Sequence, residues 1–349
     1  MAKSTQKHAI LTLLKQASGP LSLRDIASKI NHEASSRTLR RWLADWEAGN
    51  KVKRSGAGPS TTYQAISNPA EAVPPFSASD SFAFLADLDP DLRRVLLNQI
   101  RDLWTHSSTA LEGNTLSLGD THFILEQGLT VSGKPIKDHQ EVRGHARAIE
   151  VLYQCIDRPL SHDVIFALHR AVQTEYLDDI YKPIGAWKVE ANGTHVVGSD
   201  NKQSFIEYAL PLFVPKLMAE VLDAINATSV DDVTLDNAAV IYAKIHMGIA
   251  HIHPFYDGNG RIARLLANIP LLKSGLPPLV IPKEQRRVYI ETLSKYQISI
   301  GQLTSTSGVW PAPEQLREFE AFCASCYGST KDLMEEIFKL QRKRAGKGF

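Results

Sequence analysis

Apolar residues fall at helical spacing along most of the chain, and two stretches break into strand-like alternation. Residues 7–18 place Ile10, Leu11, Leu13 and Leu14 in a helical pattern that stops at Ser18-Gly19-Pro20. Ser22 caps a second helix, Leu23 to Ile30. A third runs from about Ser36 to Ala48, with Leu39, Trp42, Leu43 and Trp46 at i, i+3, i+4 and i+7, which makes one buried stripe. Arg37, Arg40 and Arg41 lie on the opposite face. Gly49-Asn50 ends this helix. Lys51 to Arg54 reads as a short strand, Ser55 to Ser60 as a Gly-rich tip, and Thr61 to Ile66 as the return strand. Residues 67–81 are a Pro/Ser/Ala linker. Beyond it the spacing predicts helices over 90–105, 120–127, 138–156, 161–175, 203–226, 235–250, 260–273, 284–299 and 313–343. Pro270 should kink the seventh of these or end it early, because proline removes an i→i−4 bond. One hairpin is predicted, Trp187 to Val197, turning at Asn192-Gly193. The expected class is mainly α, with a small domain at 1–66, a helical core at 82–300 and a helical extension at 301–349.

Charge sharpens the boundary between the first domain and the rest. Residues 1–66 hold 11 Lys/Arg against 4 acids, a surplus of +7, whereas the whole chain carries +1. The first part is therefore expected to meet something anionic. Its three helices and basic hairpin resemble a winged helix-turn-helix. That resemblance implies contact with double-stranded DNA through Arg37, Arg40, Arg41, Lys51, Lys53 and Arg54, or else docking to a protein. At 349 residues, 43% hydrophobic and 22% charged, the composition is that of an ordinary globular protein. No apolar run reaches the length of a membrane span. Residues 1–8 lead into an amphipathic stretch and not into a signal-peptide core, so a cytoplasmic location without membrane partners is expected. Of the three cysteines, Cys323 and Cys326 form a lone C-x-x-C with no second pair nearby, which reads as two neighbouring helical turns and not as a zinc site.

The chemistry is concentrated in residues 253–264, His-Pro-Phe-Tyr-Asp-Gly-Asn-Gly-Arg-Ile-Ala-Arg. His253 has an imidazole that can take a proton near neutral pH, given an ordinary pKa of ~6.5. Asp257 offers the oxygen ligand that Mg²⁺ prefers. Gly258, Asn259 and Gly260 can bring backbone N–H groups close to an anion, and a helix starting there would add unpaired donors. Arg261 and Arg264 lie three apart and suit phosphate oxygens. His246, His251 and His253 have spacings of five and two, which do not put all three on one helical face, so a zinc hydrolase is the weaker reading.

These twelve residues match the Fic signature His-x-Phe-x-(Asp/Glu)-Gly-Asn-Gly-(Arg/Lys)-x-x-Arg at every defined position, and residues 85–300 resemble the Fic family. His246 and Tyr289 agree with it in the flanks. The resemblance implies a protein adenylyltransferase. His253 would deprotonate a Tyr, Thr or Ser hydroxyl of a target protein, and that oxygen would attack the α-phosphate of ATP. Asp257 would hold Mg²⁺, Asn259 and its neighbours the α-phosphate, Arg261 the middle or terminal phosphates, and Arg264 the γ-phosphate. Gly260 favours AMP transfer over the phosphate-transferring variant, in which Lys stands there. Upstream, Ser108-Thr-Ala-Leu-Glu112-Gly113 matches the family's inhibitory motif, which implies that Glu112 pairs with Arg264 and leaves ATP in an unproductive pose. The same glutamate serves AMP removal in some relatives. The hairpin would be the flap that aligns a target segment, and a homodimer is compatible with the family. The alternative is a winged-helix DNA-binding regulator whose Fic core mainly senses nucleotide.

Overall fold

The computed structural model describes residues 10, 13–14, 20–29, 34–48, 52–56, 58, 61–65, 82–174, 179–197 and 203–345. The chain divides into two compact units, 1–75 and 76–349, and the boundary falls within the expected linker. Most of the first expected helix, Lys51, and the linker itself lie outside the described residues.

In the first unit, strand β1 (Leu21–Ser22) leads into α1 (Leu23–Lys29), followed by α2 (Ser36–Ala48) and the strands β2 (Val52–Ser55) and β3 (Thr62–Ala65). The sheet is antiparallel in the order β1-β3-β2. Ser22 and Asp25 bond each other's backbone N–H and cap α1, as the sequence suggests for Ser22. Leu39, Trp42, Leu43 and Trp46 are all buried on one side of α2, together with Ile10, Leu14, Ile26 and Val52.

The second unit is helical around one core. Its elements are α3 (Pro90–Leu111), α4 (Leu118–Gln127), α5 (Ile136–Cys155), α6 (His162–Val172), the strands β4 (Gly193–Val197) and β5 (Gln203–Glu207), α7 (Val214–Ala227), α8 (Ala238–Ile252), α9 (Asn259–Leu266), α10 (Ile269–Lys273), α11 (Arg286–Ile300), α12 (Arg317–Cys326) and α13 (Gly328–Ala345). Helix α8 is apolar nearly all round, and twelve of its fifteen residues are buried. Such a helix must be enclosed by others, and α7, α9 and α12 pack against it. The segment beyond residue 301 is part of this core and not an appendage. Phe319, Phe322 and Cys323 of α12 are buried in it, and Arg344 of α13 grips Asp91 at the start of α3 at 2.7 Å. Cys323 and Cys326 are free, buried thiols on neighbouring turns of α12, and burial raises the pKa of both.

Two expectations are corrected. The hairpin is not built around Asn192-Gly193: it pairs 193–197 with 203–207, and Gly193 opens its first strand. Asn192 is occupied elsewhere, donating to the Phe255 carbonyl. Gly193 is required by close packing, because a Cβ there would meet the Phe205 ring at 2.4 Å. Residues 203–207, expected as helix, are strand. Their side chains alternate, Phe205 and Glu207 outward and Ile206 inward, and the helical pattern belongs only to the residues from Val214 onward. The break at Pro270 is as expected. Helix α9 ends at Leu266, and Pro270 sits in the first turn of α10, where its missing N–H costs nothing. Buried Asn268 bridges the break, bonding the Arg264 and Leu279 carbonyls and the Leu279 N–H.

Candidate active site

Residues 253–258 form the tight loop from α8 into α9. His253 closes α8 in the left-handed conformation, φ 52°, and it is the only non-glycine residue with positive φ among the described residues. A β-substituted residue holds such a conformation only when its surroundings enforce it. Asn259 supplies much of the enforcement. Its side chain is buried and spent on both backbone groups of Phe255, at 2.8 and 2.9 Å. Asn259 can therefore offer an anion its backbone N–H but not its amide. Phe255 is fully buried, anchors the loop, and stacks on His169 with ring centres 3.9 Å apart.

His253 is partly exposed, and its ring lies flat on Tyr208 at 3.8 Å. Burial, then the nearby Lys188 ammonium, pushes its pKa down to about 3. The imidazole is thus neutral, the state a proton acceptor needs. Lys188 is itself buried, and desolvation lowers its pKa to about 7.

Gly258 caps α9 at φ 79°, a conformation suited to glycine. The first turn bond runs from Ile262 N–H to Gly258 O, so the N–H groups of Asn259, Gly260 and Arg261 have no partner from the helical ladder. Asp257 stands at this helix start with its side chain about half exposed; its Oδ1 accepts from the Gly258 N–H at 2.7 Å. A single accessible carboxylate fits Mg²⁺, which keeps several waters and takes oxygen from phosphates. Arg261 is 5% exposed, 3.5 Å from Asp257 Oδ2 and 3.4 Å from Val172 O. Its Nε is buried and finds no partner in the chain. A buried guanidinium so loosely satisfied is suited to receive an anion.

Arg264 is the opposite case. It is 2% exposed with Nε, Nη1 and Nη2 all engaged. Nε donates to Ser108 Oγ at 3.0 Å, Nη2 to Ser108 O at 2.8 Å and Glu112 Oε1 at 2.6 Å, and Nη1 to the Tyr289 hydroxyl at 3.0 Å. Tyr289 in turn lies 3.0 Å from His246 Nε2. Burial drives the His246 pKa well down and the Arg264 charge adds to this, so His246 is neutral. Ser108 and Glu112 lie one turn apart on α3, and Glu112 closes that helix. Gly113 follows at φ 102° and turns the chain away. The carboxylate fits against α9 because residue 260 is glycine: a Cβ there would stand 2.2 Å from Glu112 Oε1.

The structure thus gathers His253, Asp257, Gly258, Asn259, Gly260, Arg261 and Arg264 around one loop and brings Ser108 and Glu112 to Arg264 across 156 and 152 positions. It separates the three histidines of the metal reading. His246 faces Tyr289, His251 bonds Gly301 O, and only His253 faces the loop mouth. Another gathering of ligand-type groups, Asp102, His122 and Glu126, lies on α3 and α4, and Arg101 already bridges its two acids. In the first unit Arg37, Arg40, Arg41, Lys53 and Arg54 are exposed. Arg40 and Arg54, with Arg24, line a cleft of about 600 Å³, whereas Arg37 and Arg41 stand outside it. Lys188, Asn192, Tyr208 and His169 were not singled out by the sequence. A signal existed only for His169, which shares the buried stripe of Ile165, Leu168 and Val172 on α6.

Residues 159–271 match the model of the Fic/DOC family, a span that contains the whole loop and α9. That part of the chain is a Fic/DOC domain. Its Fic region is 34% identical over 207 residues to protein adenylyltransferase fic-1 of Caenorhabditis briggsae, covering 58% of this chain and 38% of that protein. It is 32% identical over 230 residues to protein adenylyltransferase Fic of Drosophila willistoni, covering 65% and 40%. The chain therefore spans about two fifths of the length of these curated relatives. Among solved structures, a Fic domain-containing signaling protein from Bacteroides thetaiotaomicron superposes with a TM-score of 0.62 at 27% identity, over 76% of this chain and 95% of that one. Fic-1 of Caenorhabditis elegans shares the fold, with a TM-score of 0.55 at 22% identity over 98% and 96%. Among the described residues no helix is long and apolar enough to cross a membrane.

Proposed function

We propose that the protein is an adenylyltransferase that moves AMP from ATP to a Ser, Thr or Tyr hydroxyl of a target protein, and that Glu112 restrains it. The observation that carries this reading is the pairing of buried Arg264 with Glu112 at 2.6 Å inside a complete Fic loop. The neutral His253 accepts the proton of the target hydroxyl. The freed oxygen forms a bond to the α-phosphorus, the bond from that phosphorus to the bridging oxygen breaks, and pyrophosphate leaves. The N–H groups at the start of α9 hold the α-phosphate, and the under-satisfied Arg261 takes oxygens further along the chain of phosphates. Mg²⁺ held by Asp257 would neutralise phosphate charge. Arg264 serves the γ-phosphate only when Glu112 has left it. Glu112, with an exposed edge, also has the chemistry to orient water for removal of AMP.

The test is autolabelling with α-labelled ATP and Mg²⁺. Glu112→Gly should label more strongly than wild type, and Glu112→Gly combined with His253→Ala should not label. Equal or weaker labelling by Glu112→Gly would remove the restraint, because a catalytic glutamate loses activity when deleted.

A second reading concerns the first unit. Its exposed arginines on α2 and the hairpin, and its surplus of +7, favour a winged helix that contacts duplex DNA. Six phosphate contacts would give a log–log salt slope of about −5. No retention by any duplex at low salt would leave protein docking as its role, and with it would go the idea of a DNA-bound nucleotide sensor.

A further inference from the structure

Lys188 is 3% exposed, and no carboxylate forms an ion pair with it among the described residues. Buried ammonium groups without a counter-charge are rare, because desolvation disfavours them. This one lies against the loop that carries His253. Its Nζ donates to Asn192 Oδ1 at 2.5 Å and, at 3.4 Å, to the carbonyl of Ile252, the last residue of α8. A cation at a helix C-terminus complements the helix dipole. The backbone N–H of Lys188 donates to Pro254 O at 2.9 Å. Asn192 extends the grip: its Nδ2 donates to Phe255 O at 3.1 Å, and its carbonyl accepts from Tyr208 N–H at 3.2 Å. Tyr208 supplies the ring on which His253 lies. Every backbone carbonyl from 252 to 255 except that of His253 is therefore held by Lys188 or Asn192, and the stacking surface under the imidazole hangs from Asn192.

We propose that Lys188 is a positioning residue of the reaction, clasping the backbone on both sides of His253 through its ammonium and through Asn192 so that the ring stays aimed at the incoming hydroxyl. The inference rests on the adenylyltransferase reading above. It adds a second hold, beside that of Asn259, on the left-handed backbone of His253, and it assigns a use to a buried lysine that touches none of the groups proposed to bind phosphate.

The experiment uses the full chain in the Glu112→Gly background, where labelling is measurable, with Lys188→Met, Lys188→Arg and Asn192→Ala added in turn. A misplaced base lowers turnover without disturbing nucleotide affinity, and a shift on the order of 1 Å costs up to about a hundredfold. Lys188→Met should lower kcat tenfold or more (~10–100-fold) while KM for ATP stays within about twofold. Lys188→Arg, which keeps a cation and its donors, should retain more of kcat than the methionine variant. Thermal melting with and without ATP reports whether each variant is folded. A folded Lys188→Met with unchanged kcat overturns the proposal, as does a raised KM with kcat intact, which would make Lys188 a nucleotide contact. If Lys188→Met does not fold, Asn192→Ala decides: reduced kcat supports the clasp, and unchanged kcat overturns it. Absence of labelling in the Glu112→Gly parent, or labelling that survives His253→Ala, would be a failure of the adenylyltransferase reading and is seen before Lys188 is changed.

Discussion

Replacing Gly260 by alanine should release Glu112 without touching Glu112. The new Cβ would lie 2.2 Å from Glu112 Oε1 and 3.0 Å from Arg264 Nη1. Ordinary contact needs about 3.5 Å, so the carboxylate, the free end of a flexible side chain, must retreat by on the order of 1 Å. From 2.6 Å that displacement takes the Arg264–Glu112 contact beyond hydrogen-bond length. A charge-assisted hydrogen bond contributes about 1.5–3 kcal/mol. The Glu112 side chain is 39% exposed, and water screens part of this. About half, ~1–1.5 kcal/mol, is the appropriate figure. That is roughly a 5- to 12-fold gain in productive ATP binding. The assay is autolabelling at ATP concentrations below KM, with wild type, Gly260→Ala, Glu112→Gly and the double variant. Gly260→Ala should rise by that factor and stay below Glu112→Gly. In the Glu112→Gly background the alanine should add nothing, and any loss there measures what the methyl group costs the phosphate site itself. If Glu112→Gly activates while Gly260→Ala matches wild type, the steric argument is wrong.

Two further outcomes follow from the same geometry. Asp257→Ala should abolish both labelling and its sensitivity to chelator, since Asp257 is the only acid in the loop; labelling that persists in excess chelator would remove Mg²⁺ from the scheme. Acid should destabilise the protein well above the carboxylate range. His145, His169, His246 and His251 are each at most 1% exposed with lowered pKa values, about 4 for His169 and His251 and well below the ordinary range for the other two. Burial is the main cause in every case. Between about pH 6.5 and pH 4 the unfolded chain binds protons on these residues that the folded chain refuses, so stability falls with falling pH. The slope approaches ~1.4 kcal/mol per histidine per pH unit. Urea titrations at pH 7.5 and 5.5 check this, and equal midpoints would contradict the burial of these rings.

The loop was legible because its chemistry depends on residue types at fixed short spacing: a base, an acid, two glycines and two arginines within twelve positions. The partner of Arg264 was legible only through the family resemblance. Nothing in periodicity joins Glu112 to a residue 152 positions away. Helix α8 could be placed because it is apolar on every side, whereas β5 was lost because five alternating residues are a weak signal directly before a longer helical one. Asn192-Gly193 has the composition of a hairpin turn, yet Asn192 bonds to Phe255 and Gly193 packs under Phe205, and both demands are tertiary. Lys188 carries no local mark of burial, because a lysine between two apolar residues in an alternating stretch ordinarily faces water.

Glu112 is the C-cap that follows the last residue of α3, and the arginine it holds is also bonded by Ser108, one turn earlier, and by Tyr289. Ends of helices open more easily than their middles. On the proposed function, the restraint would therefore sit at the end of a 22-residue helix and act on an arginine held by two other groups. If that turn opens at a cost of about 1–2 kcal/mol, roughly 3–15% of molecules are unbraked at any instant. The resting protein should leak, and its output should be graded: a partner that clamps residues 111–114 would throttle the leak, and one that pulls them away would widen it, with no rearrangement of the core in either case.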